Sequence, residues 1–228
     1  MIRLLDIILS ASALLVLSPL LVPLTIALRV TGEGEVFFKQ DRVGRGGQYF
    51  KLYKFATMLA DSPNMGTGTL TLKDDPRVLP LGRFLRKTKV NELPQLINIF
   101  LGDMSIIGPR PQTRRCFEAF PSRAQGKIIK VLPGLSGIGS IVFRGEEQLM
   151  SISDDPNTLY DIHIMPYKGY LEEWFVENRS LSVYLKCIWL TVVIVIKPSS
   201  ELVWRFFPDL PEPPEPLARK LNWRIKDE

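Results

Sequence analysis

The sequence predicts an α/β protein that is mostly helical, a single compact membrane-associated domain with few short strands. Three observations predict it. Leu4 to Val30 is almost wholly apolar, with Asp6 the one charge before Arg29. Apolar residues recur at helical spacing in two later stretches, 81–101 and 181–192. Glu35 to Phe55 carries aromatic, β-favouring runs split by Gly44, Gly46 and Gly47, so it reads as short extended pieces around a turn.

The N-terminal run comes first. About 20 apolar residues suffice to cross a bilayer. A cleaved signal peptide fits less well, because Asp6 interrupts the start and no clear small-residue cleavage site follows. Pro19 and Pro23 sit inside the run. Each removes a backbone donor and crowds the preceding turn, which predicts a bend, and the Ser18 hydroxyl can satisfy a freed carbonyl. Two topologies compete: an ordinary kinked transmembrane helix, or a helix that turns at Ser18-Pro19 and leaves by the face it entered. In both, Arg29, Lys39, Arg42, Arg45, Lys51 and Lys54 place the following chain in the cytoplasm.

After the extended pieces, Ala60 to Thr71 is rich in Gly, Ser, Thr and Asn and reads as a mobile loop. Leu81, Phe84, Leu85 and Thr88 predict one buried helical face, with Arg83, Arg86 and Lys87 opposite it. A second helix is expected from about Asn91 to Leu101, with Leu93, Leu96, Ile97 and Phe100 inward, Pro94 in its first turn and Gly102-Asp103 as its stop. Gly108-Pro109-Arg110-Pro111 must be a stiff, extended loop. Pro133-Gly134 opens a turn, and Pro166 to Glu177 reads as helix. Leu181, Tyr184, Leu185, Ile188 and Val192 mark an amphipathic helix whose apolar part, Cys187 to Ile196, is too short to span a membrane. The tail FPDLPEPPEPLARKL reads as extended. The expected division is a membrane helix over 1–30, a main domain over 31–200 and a Pro-rich tail over 201–228.

Composition narrows the chemistry. The single histidine, His163, excludes sites that need two or three His ligands, and two distant cysteines, Cys116 and Cys187, point away from a disulfide framework or zinc site. The net charge of +5 suits an anionic partner. No nucleic-acid motif or aromatic stacking platform accompanies it, so no nucleic-acid partner is expected. An enzyme of this composition would work with carboxylates, cations and a hard metal. Between Pro76 and Asn91 stand five cations, Arg77, Arg83, Arg86, Lys87 and Lys89, and no acid. They form either a solvated or lipid-facing basic patch or a phosphate site. Asn91 and Glu92 lie where a helix begins, where Asn is a preferred cap and an acid is favoured by the helix dipole, so both have a structural as well as a chemical reading.

Several motifs in order resemble one family. They are the apolar run with Ser18-Pro19, VFFKQDRVGRGG, KLYKF, DDPRVLPLGRFLRKT, NELPQLINIFLGDMSIIGPRP, LPGLSG and IMPYKGYLEEWFVENRSL. Over roughly Ile2 to Thr191 the chain resembles the bacterial sugar transferases, the monotopic phosphoglycosyl transferases. The resemblance implies a re-entrant helix broken at Ser18-Pro19 in the bacterial inner membrane, with the catalytic part facing the cytoplasm. It implies transfer of a sugar-phosphate from a UDP-sugar to polyprenol (undecaprenyl) phosphate, with UMP leaving, at the start of lipid-linked glycan assembly and upstream of further glycosyltransferases. It implies Mg²⁺ on Glu92, and phosphate or substrate contacts from Arg86, from Arg110 between Pro109 and Pro111, and from Asp75 in its Asp-Asp-Pro turn. Asn91 stands where the family has its nucleophilic Asp. A carboxamide cannot inherit that role. The chain is then a variant that uses Glu92 or direct attack by the acceptor, an Asp-to-Asn form that traps substrate, or a relative that binds nucleotide sugar or polyprenol phosphate without turnover. Ala56, Leu132 and Tyr184 also depart from the family pattern.

Overall fold

The computed structural model describes residues 1–31, 33–65, 75–151, 153, 155–196, 201–221 and 223. Helix α1 (Ile2–Val30) runs unbroken through both prolines. Pro19 has no N–H for the Leu15 carbonyl, and the Ser18 hydroxyl donates to that carbonyl at 2.8 Å instead.

This helix lies along the rest of the molecule. Near its start, Arg3 donates to the carbonyls of Ile99 and Phe100 at 2.5 and 2.8 Å, in the last turn of another helix. Asp6 is buried. Further along, Ala13, Leu14 and Leu17 pack on Leu52, Leu96, Ile99 and Met104, and Leu21, Leu24 and Leu28 meet Phe55 and Leu85. The opposite face, including Leu15, Val16, Leu20 and Ile26, is exposed. Among the described residues α1 is the one helix long and apolar enough to cross a membrane.

The extended pieces form an antiparallel hairpin of β1 (Phe37–Val43) and β2 (Tyr49–Phe55), with Phe38 opposite Lys54. Gly46 and Gly47 turn it at φ of 71° and 76°, a region that favours glycine. Then come α2 (Pro80–Lys87), a 3₁₀ turn (Val90–Glu92), α3 (Gln95–Leu101), β3 (Ser105–Ile107), α4 (Arg114–Glu118) and α5 (Ser122–Ile128). Strand β4 (Gly134–Ser136) pairs parallel with β3. The remainder is helical: α6 (Ile138–Val142), α7 (Glu146–Ser151), α8 (Pro156–Thr158), a π turn (Leu159–Ile164), α9 (Met165–Glu177), α10 (Leu181–Ile196), α11 (Glu201–Phe206) and α12 (Glu215–Ala218). The largest buried cluster joins α5, α6, α9 and α10, with Leu171, Phe175, Tyr184 and Leu190 at its centre.

The helical faces correct the sequence-based expectation. Phe84, Ile97 and Phe100 point outward, 61%, 36% and 46% exposed. The buried face of α3 is Gln95, Leu96, Asn98 and Ile99. Asn98 replaces a missing apolar contact with hydrogen bonds, donating to the Lys51 carbonyl at 2.8 Å and accepting the Tyr53 N–H at 3.0 Å. Asn91 caps no helix either: α3 starts four residues later, and Pro94 holds the cap position without a side-chain bond. The Pro-rich segment is not a free extension. Val203, Phe207, Leu210, Leu217 and Leu221 are buried in the main core, and the Tyr167 hydroxyl donates to the Pro211 carbonyl at 2.7 Å.

Candidate active site

The Asn91-Glu92 step sits in the 3₁₀ turn, entered through Lys89 at φ 60°, the one non-glycine residue with positive φ among those described. The turn sends its two side chains apart. Asn91 lines a cleft of about 620 Å³ between the hairpin, α2 and the end of α1. Glu92 lines a second cleft of about 370 Å³ bounded by β3, β4, α6 and α10.

A row of charges joins the clefts. Lys54, in the wall of the larger one, stands 3.5 Å from Glu92 Oε1. Arg110 Nη2 donates to the same oxygen at 2.6 Å from within the smaller cleft. Burial pushes the Glu92 carboxyl up, but Arg110, Lys54 and Lys89 together outweigh it and hold the group well below the usual carboxylate range. Burial pulls the Lys54 ammonium down to about 7, against the attraction of Glu92. Arg42, also in the larger cleft, is lowered to about 10 by burial and by Arg110.

The backbone fixes Arg110. Gly108 N–H donates to the Ser136 carbonyl at 2.9 Å, and Gly134 N–H donates to the Pro109 carbonyl at 2.8 Å. A Cβ on Gly134 would lie 2.1 Å from the Gly108 nitrogen, so the two backbones meet with no room for a side chain. Pro111 offers its carbonyl to Arg42 at 3.2 Å. Below the loop, Glu172 of α9 is buried, and its Oε2 has no hydrogen-bond partner. Burial raises its carboxyl to about 8, against the pull of Lys168.

The structure thus brings Asn91, Glu92, Arg86 and Arg110 to the clefts, with Pro109 and Pro111 setting the loop. Arg86 lines the larger cleft, with a guanidinium nitrogen 3.7 Å from Met58 Sδ. Asp75 lies elsewhere: it forks onto Arg77 at 2.9 and 2.6 Å, and Arg77 in turn donates to the carbonyls of Ser62 and Met65. That pair orders the loop beside the cleft. Asp74 lies outside the described residues. Ser18 and Pro19 are in mid-helix on α1, away from both clefts. Sequence reasoning passed over Lys54 as a cation after a membrane run, and passed over Glu172 altogether. The lone cation between Tyr53 and Phe55 in a strand was the available signal for the first.

No group of three or more His, Cys, Asp or Glu side chains converges on a metal position among the described residues. The oxygen donors nearest the charge row are Glu92 and Asn91 Oδ1, which is buried without a hydrogen-bond partner. Such a set suits a cation that brings most of its ligands with it, as Mg²⁺ does when it arrives on phosphate oxygens with its own waters.

A long apolar helix beside two clefts joined by a carboxylate, a lysine and an arginine defines the class of domain. The family model described as bacterial sugar transferase matches residues 1–198, and the chain belongs to that family. It is 36% identical over 193 residues to the UDP-glucose:undecaprenyl-phosphate glucose-1-phosphate transferase of Klebsiella pneumoniae, covering 83% of this chain and 39% of that protein. The Escherichia coli K12 protein with the same description is 34% identical over 190 residues, covering 82% and 38%. The exopolysaccharide production protein ExoY of Sinorhizobium fredii is 31% identical over 204 residues, covering 83% of each chain. The chain therefore spans about two-fifths of the first two relatives and most of the third.

Proposed function

We propose that the chain is a phosphoglycosyl transferase that moves a sugar-phosphate from a UDP-sugar to polyprenol phosphate, releasing UMP and forming a polyprenyl diphosphate sugar. The observation that carries this reading is the Lys54–Glu92–Arg110 row connecting two clefts. A reaction between two phosphorylated substrates needs two sites that share one charged wall. The sugars and acceptors in the relatives' names support the substrate classes.

The UDP-sugar belongs in the larger cleft, where Lys39, Arg42, Lys54 and Arg86 face its diphosphate. Arg110 orients a phosphate of the other substrate through its planar fork. Glu92 stays ionised between its cations and keeps them in position. Mg²⁺ held by Glu92 and the substrate phosphates would neutralise charge developing on the oxygens. Asn91 is neutral and no nucleophile, and Glu92 is held by two cations. The acceptor phosphate oxygen therefore attacks the sugar-bearing phosphorus directly, that phosphorus–oxygen bond to UMP breaks, and UMP leaves with the electron pair.

The same contacts support a same-face topology. Arg3 and Asp6 near one end of α1, and Leu28 at the other, all touch the same domain, so we place both ends on the cytoplasmic side of the inner membrane. An Ile2→Cys variant should react only with a thiol reagent applied from the cytoplasm. Labelling from outside alone would overturn the topology.

The functional test is UMP release from a panel of UDP-sugars with polyprenol phosphate and Mg²⁺. Activity should vanish in Glu92→Gln. Direct attack gives ternary-complex kinetics and inversion at phosphorus, whereas Asn91→Asp should restore ping-pong kinetics and retention. Silence in the unmodified chain, with activity only in Asn91→Asp, would overturn turnover by this chain while preserving the site.

A further inference from the structure

The smaller cleft has two characters at once. Most of its wall is aliphatic, including Leu93, Leu135, Ile188, Val192 and Val195. Three cations also reach it, Lys89, Arg110 and Arg144, against one acid, Glu92, which already accepts from Arg110. The Arg144 guanidinium has no hydrogen-bond or ion-pair partner among the described residues. Helix α10 forms the outer wall. Its residues Trp189, Val192, Val195 and Ile196 are 48%, 55%, 51% and 79% exposed, so the apolar lining continues outward onto an apolar surface. A water-soluble phosphate would gain nothing from that wall, and a neutral lipid would leave the Arg144 guanidinium unanswered.

We propose that this groove between α10 and the Val90–Glu92 turn binds the isoprenyl monophosphate end of the acceptor, with the phosphate on Arg110 and Arg144 and the first isoprene units against Leu93, Ile188, Val192 and Val195. The assignment rests on the functional reading above and adds where the acceptor sits. It gives the split of Asn91 and Glu92 a purpose. The donor diphosphate and the acceptor phosphate approach the charge row from opposite sides, which is the arrangement that in-line displacement requires. It also leads the hydrocarbon from the groove towards the exposed apolar residues of α10.

The test uses the full chain in nanodiscs of phosphatidylethanolamine and phosphatidylglycerol, with a diazirine-bearing geranylgeranyl monophosphate as the probe. UDP-glucose and UDP-N-acetylgalactosamine binding are measured on the same samples. Crosslinks are expected within 88–93 and 181–196. Val192→Trp and Val195→Trp, both at half-exposed positions that tolerate bulk, should each cut labelling at least tenfold, with melting temperatures and UDP-sugar binding unchanged. Unlabelled geranylgeranyl monophosphate should compete, while geranylgeraniol, inorganic phosphate and diacyl phosphatidic acid should not. Undiminished labelling in both Trp variants, crosslinks confined to the larger cleft, or equal competition by phosphatidic acid would overturn the groove assignment while UDP-sugar binding kept the functional reading alive. Binding of neither the probe nor any UDP-sugar would overturn both.

Discussion

The Tyr184 hydroxyl donates to Asp6 at 2.8 Å across 178 residues of sequence, in the buried interior where α10 meets α1. The same carboxyl oxygen accepts the Ser105 hydroxyl at 3.0 Å and the Ile106 N–H at 2.8 Å. One acid in an apolar helix therefore ties the membrane element to the strand that leads into the Arg110 loop. It also accounts for a charge that otherwise only weakens an apolar run.

Asp6→Ala leaves three donors unanswered, two of them buried, and should destabilise the protein by about 3 kcal/mol. Tyr184→Phe removes one hydrogen bond and should cost about 1.5 kcal/mol. The double variant should cost less than the sum, because both changes break one network. Thermal melts in detergent, arranged as a double-mutant cycle, measure this. Strict additivity would mean that the contact carries no coupling.

Arg110→Lys keeps the charge but loses the planar fork, and should lower UMP release about 100-fold with little change in melting temperature. Arg77→Lys should show the reverse pattern, a lower melting temperature with a smaller loss of rate, because Arg77 is committed to Asp75 and to loop carbonyls. Equal losses of rate in both variants would contradict the separate roles given to the two arginines.

Glu172 gives stability a pH dependence with a definite sign. Its carboxyl is raised to about 8 in the folded protein, chiefly by burial. Between the unfolded value near 4.5 and that folded value, the native state holds a proton that the unfolded chain has released. Its contribution is therefore complete below the unfolded value and is lost as pH rises towards 8. Glu172→Gln should flatten the fall in melting temperature over this window. An identical slope in both proteins would remove Glu172 as its source.

Gly134→Ala places a Cβ 2.1 Å from the Gly108 nitrogen, with backbone on both sides and no flexible end to move away. A cost of about 3 kcal/mol or more is expected, with loss of UMP release at temperatures where the fold survives. Gly126→Ala, which meets nothing within 4 Å, is the control and should be near neutral.

Some of this was legible in the chain and some was not. The N-terminal helix, the hairpin around its glycines and the Arg110 loop followed from apolar length, β-favouring runs and proline spacing. The facing of α2 and α3 did not. Periodicity identifies an apolar face as inward only when the outside is water, and Phe84, Ile97 and Phe100 lie on the outward side of a protein with an apolar helix on its surface. The Pro-rich segment misled for a different reason. Proline reports backbone conformation, whereas Phe207, Leu210, Leu217 and Leu221 decide where the backbone goes. Glu92 and Arg110 stand out in the sequence because they sit in dense motifs. Lys54 and Glu172 reach them from β2 and α9, a proximity that only the tertiary fold creates.

Asn91 and Glu92, adjacent in sequence, line different clefts. A molecule carrying one group for each cleft would need a short linker that passes the Asn91–Glu92 step. Short linkage makes the second contact intramolecular, at an effective concentration of about millimolar or higher. Two weak fragments joined across this step would bind far more tightly than either alone, and the join itself would occupy the position of the bond that the reaction makes.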